Sequence, residues 1–133
     1  MADGTSEEVL ALKNDLIQDI TEYMKYGGAE DENDPEYDPD FDAGYTQEHI
    51  DKCEAVLTSF LSSLTKISGA DKEQAIMEAV KVAVLALNDV NTDCDGGMIE
   101  TDQREQLCEL IILAANEAGL DTEDDITEEW RDW

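Results

Sequence analysis

Residues 71 to 90 read DKEQAIMEAVKVAVLALNDV. Ile76, Ala79, Val80, Ala83, Val84 and Leu87 recur at the spacing that places them on one face of a helix, and Val82, Leu85 and Ala86 widen that face. A helix that is apolar on most sides belongs in the middle of a fold, so this stretch predicts a helical core. Asp71 stands where an N-cap is needed, with Gln74 three residues on.

A second segment of the same kind runs from Thr101 to Ala118, where Leu107, Leu110, Ile111, Ile112 and Leu113 cover more than half the circumference. Thr101 can cap it, Asp102 and Glu105 suit its positive end, and Gly119 can terminate it. These two helices are expected to pack together, flanked by two more amphipathic ones. One has Val9, Leu12, Leu16, Ile20 and Met24 behind a Thr5–Glu8 capping box and stops before Gly27-Gly28. The other has Ile50, Cys53, Leu57, Phe60, Leu61 and Leu64 behind Thr46. In the tail, Ile126, Trp130 and Trp133 fall on one face of a short helix and are expected to close one end of the fold.

No segment alternates apolar and polar residues over a strand's length outside the acidic connection, and no internal repeat of useful length is visible. The expected architecture is all-α: a four-helix bundle-like single domain over residues 1–133, with helices at about 6–26, 46–67, 71–90 and 101–118 and a short C-terminal helix at 123–132.

Charge narrows the function. The chain holds 35 Asp and Glu against 8 Lys and Arg, a net charge of −27. Too few cations remain to displace the counterions of DNA or RNA, and the same balance argues against an anionic membrane surface. Apolar runs such as Val82–Leu87 fall far short of the roughly 20 residues that span a bilayer. No secretory leader is visible after Met1, and Cys53, Cys94 and Cys108 are an odd, sparse set, so a reducing cytoplasm is expected. Arg104 and Arg131 are expected to pair with internal carboxylates.

The acids concentrate in the connection at 27–45. Residues 30–42, EDENDPEYDPDFD, hold eight carboxylates and no cation, and Pro35 and Pro39 forbid a regular helix. Asp34, Glu36, Asp38, Asp40 and Asp42 recur every second residue. In an extended chain, like side chains then repeat every 6.6 Å or so, a row of anions that a basic groove could receive. These five are the expected partner-binding residues.

Two other constellations invite chemistry. His49 precedes Cys53 by one helical turn, the spacing of a thiolate–imidazolium pair, yet Cys53 falls within a core stripe and no oxyanion-binding glycine loop accompanies it. Residues 91–102, NTDCDGGMIETD, resemble an EF-hand loop. Asn91, Asp93 and Asp95 match ligand positions one, three and five, Gly96 the sharp turn, and Asp102 position twelve, so Ca2+ is the alternative ligand for this loop. Asn at the first position, Asp at the last and the apolar Ile99 depart from that pattern; otherwise no cofactor is expected.

The segments Gly97–Glu105, GMIETDQRE, and Asp125–Trp133, DITEEWRDW, carry a resemblance that covers residues 46–133. It is to small, acidic helical proteins of bacteria and phages, similar in type to immunity and anti-defence proteins. The resemblance implies a helical, non-catalytic protein and transfers no site residues. The expectation is a non-enzymatic antagonist of a basic protein, such as a nuclease toxin or a nucleic-acid-binding defence complex, with a calcium-binding helical module as the alternative.

Overall fold

The computed structural model describes residues 6–27, 29, 31–67, 69–94, 96–121 and 125–133. Among them are four helices and no strand: α1 (Glu7–Tyr26), α2 (Gln47–Thr65), α3 (Lys72–Asp93) and α4 (Thr101–Ala118). None is long and apolar enough to cross a membrane.

The helix starts follow capping chemistry with local substitutions. Ser6 caps α1, its hydroxyl accepting the Val9 N–H at 3.2 Å, while Thr5 lies outside the described residues. Thr46 is the N-cap of α2, and the capping-box partner is His49, whose Nδ1 accepts the Thr46 N–H at 3.0 Å. Asp71 precedes α3 without making the side-chain cap bond. Glu100, rather than Thr101, caps α4, its N–H donating to Gln103 Oε1 at 3.2 Å.

Three sequence expectations are corrected. First, α3 continues to Asp93 instead of stopping at 90. The extra turn holds because Asn91 is buried there, its Oδ1 accepting the Ile99 N–H at 2.9 Å and its carbonyl the Gly96 N–H at 2.7 Å. Second, residues 126–130 form turns, not the α-helix expected at 123–132. Side-chain bonds hold this stretch: Asp125 Oδ1 accepts the Thr127 N–H at 2.9 Å, and Asn88 of α3 donates to the Trp130 carbonyl at 2.7 Å and accepts the Asp132 N–H at 3.2 Å. Ile126, Trp130 and Trp133 do pack against the core, each half-buried.

Third, α3 and α4 do pack together, but α1 and α2 do not simply flank that pair. Helix α2 packs most extensively on α3, and α1 on α4; α2 also touches α1 and α4, and α3 meets α4 over a smaller area. Leu16 and Ile20, Ile50 and Leu57, Ile76 and Leu87, and Leu107 and Ile111 bring all four helices into one core. Two residues of α3's wide apolar arc are left outside it: Val82 is 61% and Leu85 42% exposed. A helix apolar on most sides is here left open to water at these two positions.

Candidate functional site

The acidic connection is not extended. Asp34-Pro35-Glu36-Tyr37 and Asp38-Pro39-Asp40-Phe41 form two successive turns of the same design. In each, the Asp carbonyl accepts the N–H of the aromatic residue three positions on, at 2.9 Å for Tyr37 and 3.0 Å for Phe41. The Asp Oδ1 accepts the N–H two positions on, at 2.9 Å for both Glu36 and Asp40. Proline at the second position fixes the backbone angle such turns need, and the Asp side chain closes an Asx turn. Asp31 and Asp42 repeat the side-chain bond, to the N–H groups of Asn33 and Gly44.

Each turn therefore aims one aromatic ring inward. Tyr37 meets Tyr26 edge-on with centroids 6.2 Å apart, and Phe41 meets Tyr23 at 5.4 Å with the rings perpendicular. Gly27, which ends α1 at φ 60°, leaves the space that Phe41 fills: a Cβ there would lie 2.8 Å from the Phe41 ring. At the far end, buried Tyr45 donates its hydroxyl to the Ile20 carbonyl at 2.8 Å, and burial pushes that hydroxyl's pKa up to about 12. The connection is pinned to α1 at three points.

This arrangement sorts the five expected contact residues. Asp34, Asp38 and Asp42 open turns and each uses one carboxylate oxygen to hold a backbone N–H. Glu36 and Asp40 sit at the third position of their turns and are exposed. The evenly spaced row of anions expected of an extended chain is replaced by paired turns, because proline and the Asx bonds curl the backbone every four residues.

The acidic surface extends beyond the connection. Asp19, Glu22 and Tyr23 of α1 face Asp102, Glu105, Gln106 and Glu109 of α4 across an open groove, with Ala29 at one end. Gln106 Nε2 donates to Asp19 Oδ2 at 2.7 Å, bridging the walls, and among the described residues no cation lines the groove. Tyr23 is 46% exposed and carries Phe41 on its ring, so the groove and the paired turns meet at one aromatic contact. Sequence reasoning read Asp102 as a calcium ligand, and Asp102 and Glu105 as helix-start acids; it assigned none of these five carboxylates to a contact face. Their i, i+3 and i, i+7 spacing is legible on each helix, but only the pairing of α1 with α4 sets them opposite one another.

The other candidates are placed elsewhere. Cys53 is buried in the core, where desolvation, with a smaller contribution from Glu54, pushes its thiol up to about 12. His49 turns to other partners: Nδ1 to Thr46, and Nε2 to Asp93 Oδ2 at 3.0 Å, tying α2 to the end of α3. In the EF-hand-like segment, Asn91 and Asp93 belong to helical backbone. The Asn91 oxygen holds Ile99, and Asp93 also has Lys52 Nζ at 3.8 Å. Asp95 lies outside the described residues, and Asp102 is exposed in the first turn of α4. Among the described residues, no group of three or more His, Cys, Asp and Glu side chains is placed to hold a metal ion.

Of the arginines, Arg131 pairs with Asp125 Oδ2 at 3.0 Å, while Arg104 enters no ion pair among the described residues. Comparison of the chain with known protein families, with curated proteins and with solved structures found no match.

Proposed function

We propose that this protein is a non-enzymatic antagonist that occupies a basic surface of another protein in the cytoplasm, as an immunity or anti-defence protein does. The four helices act as a bundle-like support, and the paired acidic turns together with the α1–α4 groove form the contact face. The observation that carries this reading is the continuity of that face. Exposed Glu36 and Asp40 stand on turns locked to α1, and the groove's five carboxylates adjoin them through the Tyr23–Phe41 contact.

A basic cleft that normally receives nucleic-acid phosphates would find carboxylates held on short, braced turns, a form of nucleic-acid mimicry. Bracing matters because a contact already ordered in the free protein loses less entropy on binding. The matching partner is a nuclease toxin or a nucleic-acid-binding defence complex.

The test is affinity capture from the producing cells followed by binding kinetics across a salt series. Wild type should associate fast at low salt and more slowly as charges are screened beyond about 8 Å at physiological ionic strength. Changing Asp34, Asp38 and Asp42 to Asn, and Glu36 and Asp40 as well to Gln and Asn, keeps the side-chain acceptors of the turns and removes five charges. Association should fall at least tenfold, roughly 1.4 kcal/mol if dissociation is unchanged, and added DNA should compete with the wild-type protein for the partner. Equal binding of wild type and variant across the series would remove the paired turns from the contact face.

A further inference from the structure

The apolar arc that α3 leaves outside the core borders a groove against α2. Val56, Phe60 and Ile67 line one side and Ala75, Ala79 and Val82 the other, and Glu78 is the one charged residue in the lining. The outer face of α2 beside it has an ordered charge pattern. Asp51 and Glu54 stand at its start and Lys66 at its end, with only Ala55, Thr58, Ser59, Ser62 and Ser63 between them. We propose that this face is where a second copy of the chain docks, antiparallel, about a two-fold axis near Ser59.

A two-fold interface must be complementary to itself, and this face is. Reversing α2 against its own copy sets Lys66 of each chain over Asp51 of the other, beside Glu54, which pairs with Lys13 of its own chain at 3.8 Å, whereas a parallel pairing would oppose like charges. The small side chains of the central stretch let the two backbones approach closely. Exposed Val82, with Leu85 one turn away, supplies the apolar ridge beside them. For a chain of net charge −27, self-association is least opposed where carboxylates are sparsest, and no residue from Ala55 to Thr65 is charged. The acidic turns and the α1–α4 groove line neither this groove nor the outer face of α2, so they stay open for a different partner.

The experiment measures molar mass by sedimentation at concentrations up to about 100 μM, an upper range for a weak dimer, from low salt to about 1 M, where screening acts within about 3 Å. Two highly acidic chains repel, so the dimer should strengthen as salt rises, opposite to binding of a basic partner by the acidic face. Val82→Asp, at an exposed position, should leave the melting temperature near wild type and abolish the dimer. Lys66→Glu should weaken it about tenfold, and adding Asp51→Lys to that variant, which leaves the Lys13–Glu54 ion pair within each chain intact, should restore it. With Cys108 changed to Ser, Ser59→Cys should cross-link to its copy on oxidation, and Asp102→Cys on the acidic side should not. A monomer at every concentration and salt with no Ser59→Cys cross-link overturns the proposal. So does a dimer indifferent to Val82→Asp.

Discussion

The α2–α3 pair and the connection from 31 to 46 solve opposite problems with opposite means. The pair buries Leu57, Phe60, Ile76, Val84 and Leu87, and its stability comes from apolar surface removed from water. The connection buries almost nothing of its own. Backbone hydrogen bonds closed by Asp side chains hold its shape, and three rings, Tyr37, Phe41 and Tyr45, hold it in place. The tail resembles the connection more than the helices: Asp125, Thr127 and Arg131 shape it, and Trp130 and Trp133 anchor it. A segment dense in carboxylates can thus be ordered without burying them.

The contrast can be broken most directly at the apolar side. Leu87→Ala, at a fully buried position, should cost about 2–5 kcal/mol in denaturant unfolding, while Glu36→Gln should stay within about 0.5 kcal/mol of wild type. Comparable losses from the two would refute the division.

Trp130→Ala comes next. The ring is half-buried, so about 2 kcal/mol is expected, below the roughly 3–5 kcal/mol of a fully buried tryptophan. The loss should be accompanied by faster amide exchange in residues 125–133. Unchanged stability together with lost partner capture would make the tail part of an interface.

Gly27→Ala sharpens the account of the pinned connection. Its left-handed backbone alone makes a Cβ cost about 1–2 kcal/mol, and the Phe41 ring adds a collision. In a Phe41→Ala background only the backbone part should remain. If the penalty is the same in both backgrounds, Phe41 does not sit where Gly27 leaves room for it.

The smallest effect concerns pH. Burial by itself would raise the Asp125 carboxyl, but two hydrogen bonds from Thr127 and the Arg131 guanidinium outweigh it and hold the group below its ordinary range. A carboxyl lowered in the folded state contributes stability that is present above its unfolded value of about 3.9 and is lost as pH falls through the folded value. Stability measured by tryptophan fluorescence should therefore fall through that acid window, and Asp125→Asn should flatten this part of the curve. An identical slope in the variant would assign the acid loss to other carboxylates.

The helices were legible because their periodicity is local. Apolar residues at helical spacing place a stripe wherever the helix later packs, so Leu16, Leu57, Ile76 and Ile111 could be assigned to a core before any partner was known. The twin Asp-Pro-acid-aromatic turns were also written in the chain. Alternating acids suggested an extended row, and that pattern hid a four-residue repeat whose Asx bonds and prolines impose curvature. The tail misled for a related reason: i, i+4, i+7 spacing is necessary for an apolar helical face, but Asn88 on a distant helix takes the hydrogen-bonding groups of Trp130 and Asp132 and holds turns instead.

What the sequence determined by itself is therefore the four main helices and the sign of the surface. Which helices pair was decided only by tertiary packing. Apolar breadth on α3 cannot say which part of the arc is covered, since burial depends on the partner's shape as well as on the residue's own hydrophobicity. Pairing α1 with α4 turned two unremarkable acidic stripes into one groove, and pairing α2 with α3 left Val82 and Leu85 facing water.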